Sequence, residues 1–163
     1  MTKFELLSNF DLESYCELLG INLNEILSKN QYKDIKPKLG GYIINLQDSN
    51  VGNGSHWTAL YITKDVAIYY DSFGLPIPTI IVQFIRKFNK KSKILYSIDE
   101  IQVLESIFCG WYALYFLYFF DVLHKRSSNY RYLLNKHNSI FSLKNKQLND
   151  KILRLLIHNI IKK

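Results

Sequence analysis

Four polar residues at the edges of otherwise apolar stretches could together cleave an amide bond: His56, Asp71, Gln102 and Cys109. Cys109, followed by Gly110, stands where a connector meets a long apolar run, so its thiol is expected at a helix N-terminus. Unsatisfied backbone N–H groups and the positive end of the helix dipole favour a nucleophilic thiolate there. A cysteine without a base beside it is only a small buried hydrophobe. His56 can supply the base, taking the thiol proton and later returning one to the leaving amine, while Asp71 accepts the far imidazole N–H and fixes the ring. Attack on a carbonyl creates an oxyanion. The backbone N–H of Cys109 and the side-chain amide of Gln102 are candidate donors for it.

This chemistry requires His56 and Asp71 to meet, and the strand pattern provides a way. The runs 56–63 and 66–71 read as strands. With Lys64-Asp65 as a two-residue loop, Thr63 pairs with Val66 and Thr58 with Asp71, which makes His56 and Asp71 diagonal neighbours on one face. A four-residue loop keeps that parity, whereas an odd loop turns Asp71 away and offers Tyr70 or Ser72 instead.

Other elements are read more coarsely. Asn9 or Asp11 caps a helix that runs to about Leu19, with Leu12, Tyr15, Cys16 and Leu19 on its core side and Gly20 as a stop. A second short helix is expected over 23–27. The stretch Lys36-Pro37-Lys38-Leu39-Gly40-Gly41 reads as a loop, followed by a strand over 42–46 and a polar loop over 47–55 that contains Gly52 and Gly54. Ile80, Ile81, Phe84, Ile85 and Phe88 repeat at helical spacing after Pro76 and Pro78, and a short strand follows over 94–98. The run 107–120 carries no charge. At fourteen residues it falls short of the roughly 20 that cross a bilayer, so it is expected as a buried central helix. In the C-terminal third, Leu148, Ile152, Leu155, Leu156 and Ile160 form an expected core stripe. The order predicts one α+β domain over residues 1–163, with a mixed sheet packed on helices.

The composition is compatible with such a core. A chain of 163 residues, 48% hydrophobic and 21% charged, excludes disordered, collagen-like and low-complexity classes. The net charge of +7 fits a polyanionic partner such as nucleic acid or an acidic membrane surface, and fits a solvated basic face equally well. Cys16 and Cys109, far apart and without metal-ligand spacing, point to a reducing compartment and imply no metal. The acidic, interrupted N-terminus lacks the pattern of a secretory signal.

Gly54-Ser55-His56-Trp57, Tyr69-Tyr70-Asp71-Ser72-Phe73-Gly74, then Gln102 and Phe108-Cys109-Gly110 resemble the adenovirus-type (adenain-like) maturation cysteine proteases and their relatives in virophages and Maverick/Polinton elements. The His, Asp, Gln, Cys order is also that of the ubiquitin-like-protein proteases. The resemblance runs from the Leu7-Ser8-Asn9-Phe10 start to the central helix and fades after about Asp121. It implies a papain-like α+β fold with His56, Asp71 and Cys109 as the triad and Gln102 in the oxyanion hole. It implies cleavage after small residues, often glycines, in viral capsid or virion precursor proteins, with Gly54, Trp57 and Gly110 along the substrate cleft. It places the chain in the virion and the infected-cell cytoplasm or nucleus, as an expected monomer without an obligatory cofactor.

DNA or a non-covalent peptide is the activator that the resemblance suggests. Candidate phosphate contacts are Arg86, Lys87, Lys90, Lys91 and Lys93, and a second set of Lys125, Arg126, Arg131, Lys144 and Lys146. Two departures from these families stand out. Phe108 occupies the position where the ubiquitin-like-protein proteases carry an acid, and no cysteine between Asp71 and Gln102 is available for a disulfide-linked activating peptide. A protease for ubiquitin-like modifiers, and a catalytically decayed DNA-binding virion protein, are the alternative readings. His124, His137 and His158 show no partner pattern.

Overall fold

The computed structural model describes residues 3–50 and 56–163. Five strands form one mixed sheet in sequence order, β1 (Leu23–Ser28), β2 (Gly40–Asn45), β3 (Trp57–Ile62), β4 (Val66–Tyr70) and β5 (Lys93–Tyr96). The inner pairs β2–β3 and β3–β4 are antiparallel, while the outer pairs β1–β2 and β4–β5 are parallel. Strand alternation sends Ile43, Ala59, Tyr61, Ile68, Tyr70 and Leu95 to one face, under α1 (Asn9–Leu19), α3 (Cys109–Tyr118), α4 (Tyr130–Ser139) and α5 (Asn149–Ile161). The other face presents Tyr42, Ile44, Leu60, Ile62, Ala67 and Tyr69 to α2 (Thr79–Phe88) and to Tyr32. Both faces are covered, which is why β2, β3 and β4 read as almost unbroken apolar runs. The result is the mixed sheet with a buried central helix that the sequence predicts.

The hairpin has the expected register. Thr63 N donates to Val66 O at 2.8 Å, and Ala59 lies opposite Tyr70 and Ile62 opposite Ala67. Every residue of α3 is buried, and the helix lies against β3, α1 and α5. At its far end the chain continues as a π turn over Phe119–Leu123. There the buried Asp121 carboxylate accepts Asn22 N at 2.6 Å and the Tyr61 hydroxyl at 3.0 Å, tying the helix to the sheet. Among the described residues no helix is long and apolar enough to cross a membrane.

Four expectations are corrected. Residues 23–27 form strand β1, not a helix: a five-residue helix is too short to stand alone, whereas the open edge of β2 offers a ladder from Glu25↔Tyr42 to Ser28↔Asn45. Gly40 and Gly41 belong to β2 rather than to a loop. Gly40 has φ +114°, and a Cβ there would sit 2.6 Å from the Asn22 side chain, while one on Gly41 would meet Leu117 of the central helix at 3.2 Å. The cap of α1 is Ser8, which accepts Asp11 N at 3.2 Å while the Asp11 carboxylate accepts Ser8 N at 2.8 Å, so Asp11 closes a capping box from inside the helix. On α5 the stripe is turned by one residue. Leu153 and Ile157 are buried, Ile152, Leu156 and Ile160 flank them, and Leu148 and Leu155 face solvent.

Phe116, fully buried against Tyr70 with ring centroids 4.8 Å apart, and Leu155, 64% exposed, provide a direct check. Urea unfolding should show Phe116→Ala losing about 3–5 kcal/mol and Leu155→Ala staying within about 0.5 kcal/mol of the parent.

Candidate active site

At one end of the sheet, the start of β3, the end of β4 and the N-terminus of α3 converge. His56 immediately precedes β3 and is fixed by its backbone, whose carbonyl accepts Leu46 N at 3.0 Å. Asp71 follows β4 and opens a tight turn in which Gly74 N donates to Asp71 O at 2.9 Å. Gly74 has φ +72°, and a Cβ there would lie 2.6 Å from Ile98 O, so only glycine closes this turn without strain. The Asp71 Oδ1 atom accepts Phe73 N at 2.8 Å and meets His56 Nε2 at 2.7 Å. A carboxylate can only accept, so Nε2 carries the hydrogen.

That bond decides what the other ring nitrogen can do. His56 Nδ1 is buried and has no hydrogen-bond partner, so the base lone pair lies on the side left for the thiol. Burial draws the imidazole pKa down, but the hydrogen bond and charge of Asp71, reinforced by the nearby Cys109, outweigh it, leaving the value raised to about 9. The Phe73 ring stacks on the imidazole with centroids 4.3 Å apart and planes 23° from parallel. It covers one face of the base and limits its rotation.

Cys109 opens α3 and is buried. Phe108 precedes it with no side-chain cap, so the backbone N–H groups of the first turn have no helical acceptor. Gln102 is buried and held at both ends of its amide: Oε1 accepts the Ser72 hydroxyl at 2.5 Å and Nε2 donates to Ser106 O at 2.9 Å. The Ser106 carbonyl can only accept, so it fixes Nε2 as the donor end of the amide, and one Nε2 hydrogen is left over. Backbone bonds from Ile101 N and Gln102 N to Ser72 O, each 2.9 Å, fasten this connector to the Asp71 turn.

Trp57 and Gly110 also come together, with a specific use. Trp57 Nε1 donates to Leu7 O at 3.1 Å, and a Cβ on Gly110 would meet Leu7 Cβ at 3.2 Å and Trp57 Cδ1 at 3.3 Å. The two residues let the N-terminal segment close over the start of α3, where Trp111 Nε1 holds Glu5 O at 2.8 Å and Phe4 packs on Trp111. Gly52 and Gly54 lie outside the described residues. Of the basic set, Arg86 and Lys87 donate to the carbonyls of Ser92 and Lys33, Lys146 pairs with Glu100 at 2.7 Å, and Lys90, Lys91, Lys93, Lys125, Arg126, Arg131 and Lys144 are exposed. His137 is fully buried among Tyr70, Tyr115 and Phe116. Burial lowers its pKa to about 4 despite its bond to Asn138. The sequence motif contains Ser72 and Phe73 but gives them no role beside Gln102 and His56, and it does not single out Ser106. A hydroxyl or a stacked ring carries no periodic signal, and Gln102 and His56 lie on other segments of the chain from Ser72 and Phe73.

No family model and no curated relative matches the chain. Among solved structures it is similar to the crystal structure of the ASFV pS273R protease, at TM-score 0.47 and 15% identity over 70% of this chain and 53% of that one. It is also similar to a selenomethionine crystal structure of the ASFV pS273R protease, at TM-score 0.42 and 18% identity over 65% of this chain and 42% of that one. The chain thus spans about half the length of these structures.

The two thiols should differ sharply in reactivity. Burial, with the Asp121 and Glu13 charges, pushes Cys16 up to about 12, whereas Cys109 has a base beside it. Iodoacetamide at pH 7, read by peptide mass spectrometry, should label Cys109 at least about ten times faster than Cys16. The difference should disappear in His56→Ala.

Proposed function

We propose that the protein is a cysteine endopeptidase of the adenain type, in which Cys109 is the nucleophile, His56 the general base and acid, Asp71 the orienting carboxylate and Gln102 an oxyanion donor. The observation that carries this reading is the buried 2.7 Å His56–Asp71 bond, which leaves His56 Nδ1 unpartnered beside a cysteine at an uncapped helix N-terminus. His56 Nδ1 takes the thiol proton and holds it in the resting pair, and the thiolate so formed attacks the scissile carbonyl. The tetrahedral oxyanion is received by the Cys109 N–H and the spare Gln102 hydrogen. His56 then protonates the leaving amine, the C–N bond breaks, and a water molecule activated by the same nitrogen hydrolyses the thioester.

The sequence resemblance directs this chemistry to virion precursor proteins cut after small residues during particle maturation, with DNA or a non-covalent peptide as activator and the exposed lysines as phosphate contacts. The enzyme would then work as a monomer in the virion and in the infected-cell cytoplasm or nucleus. Against a decayed, DNA-binding virion protein stands the cost of keeping a carboxylate and an imidazole buried together at the sheet end, a placement that stability alone does not favour.

The test is hydrolysis of an internally quenched peptide containing Gly-Gly, with and without duplex DNA. Cys109→Ser and His56→Ala should each lose about 10³-fold or more in kcat/KM, and Gln102→Ala about 10²–10³-fold. Because the folded His56 pKa is raised, the protonated ring persists below about pH 9 and is lost above it. Hydrolysis should therefore fall as pH rises through about 9. The same pair stabilises the fold fully below about pH 6.5 and loses that contribution between there and about 9. Salt-sensitive DNA binding together with a Cys109 that reacts no faster than Cys16 would instead support the decayed protein, and cleavage of a modifier fusion in preference to any Gly-Gly peptide would support the modifier protease.

A further inference from the structure

Beside the triad lies an open cavity of about 420 Å³ that shares two walls with it, Phe73 and Gln102. Its remaining lining mixes exposed apolar side chains with carboxylates. Leu75 is 51% and Leu104 83% exposed, large fractions for leucines. Glu100 is paired with Lys146 at 2.7 Å. Glu105, also at the cavity and exposed, has no cationic partner among the described residues.

The position of the cavity determines which half of a substrate can reach it. Phe73 stacks on the imidazole that must hand its proton to the leaving amine, so the chain attached to that amine has to depart past His56 and over Phe73. Gln102 bounds the same side, because its amide marks where the carbonyl oxygen turns as the bond breaks. Resting on the protease reading above, we propose that this cavity is the binding site for the leaving half of the substrate. It takes a large apolar side chain against Leu75, Leu104 and Phe73, followed by a lysine or arginine facing Glu105. The volume is ample for one leucine-sized side chain, and the free carboxylate supplies the charge complementarity.

The test separates leaving-side binding from catalysis. A Gly-Gly aminomethylcoumarin amide has no leaving peptide, so it acylates Cys109 as its C–N bond breaks and the aminocoumarin dye is released. The thioester is then partitioned between water and an added amine, whose nitrogen attacks the thioester carbon as the C–S bond breaks and its proton passes through His56 to the thiolate. The aminolysis-to-hydrolysis ratio, read by mass spectrometry of the two products, is normalised within each enzyme. Leucyl-lysinamide should give a ratio about tenfold above that of glycinamide or leucyl-aspartate amide. Leu104→Ser and Glu105→Gln should remove that preference, Glu105→Lys should shift it towards the aspartate nucleophile, and Leu155→Ser on α5 should keep it. Equal ratios for all amines, or a preference untouched by the Leu104 and Glu105 variants, would overturn the assignment. So would variants that alter KM for the coumarin substrate without altering the ratio, which would move the cavity to the acyl side. If no Cys109 thioester forms, the protease reading itself falls and this one with it.

Discussion

A helix with no polar face has one stable location, and that constraint arranges most of this molecule. All ten residues of α3 are buried, so the helix must be enclosed on every side: by the sheet through β3, by α1 and α5, and at its start by the N-terminal segment. The glycines Gly41 and Gly110 stand where the enclosure is tightest, against Leu117 on one side and against Leu7 and Trp57 on the other. Burial of this helix contributes about 1.5–3 kcal/mol for each large side chain. Its direction follows from its ends. Asp121 ties the C-terminal end to Asn22 and Tyr61, which leaves the N-terminus, and Cys109, at the opposite end beside His56.

Electrostatics then distinguishes this end from the rest of the core. Isolated buried charges are costly, and the fold avoids them elsewhere: His137 has its pKa lowered to about 4 and stays neutral in its aromatic surroundings, and Cys16 has its pKa raised to about 12. At His56 the direction reverses, because Asp71 and Cys109 favour the charged ring more than burial opposes it. Asp71 Oδ2 is buried without a partner, so the carboxylate is less fully satisfied than a purely structural one such as Asp121, both of whose oxygens are bonded. The difference between these two buried aspartates is that one uses both oxygens to hold a helix in place, while the other keeps an oxygen unpaired beside an imidazole.

How much of this could be read from the sequence depended on whether the signal was local. The hairpin register was legible because period-two alternation and a two-residue loop fix it together, and the central helix was legible because fourteen uncharged residues allow little else. The pairing of His56 with Asp71 followed from the hairpin. β1 was misread because a window such as Leu23-Asn24-Glu25-Ile26-Leu27 fits either period, and only the distant edge of β2 decides. On α5 the neighbouring leucines at 155 and 156, next to isoleucines at 152 and 157, allow two stripes one residue apart. The packing of α3 selects the stripe centred on Leu153 and Ile157. The contacts of Ser72 and Ser106 were not legible: the Ser72 hydroxyl bonds an amide thirty residues away, and Ser106 receives that amide through its backbone carbonyl, which no residue type encodes.

The contacts of these two serines explain how the site holds together without a disulfide. A continuous set of bonds runs from His56 to the residue before Cys109. His56 is bonded to Asp71, whose turn carries Ser72. Ser72 holds Gln102 through both its carbonyl and its hydroxyl. Gln102 grips Ser106 O, and the Ser106 hydroxyl accepts Phe108 N at 3.2 Å, one residue before Cys109. Each such bond contributes only about 0.5–1.5 kcal/mol net, so the set does little for global stability. Its effect is geometric: His56, Gln102 and Cys109 come from separate segments, and the bonds make their relative positions depend on one another. A displacement of the 97–108 connector therefore moves the amide of Gln102 and the thiol of Cys109 together. The spacing between Gln102 and Cys109, on which the proposed binding of an oxyanion would depend, is thereby preserved even though the connector has no regular secondary structure to stiffen it.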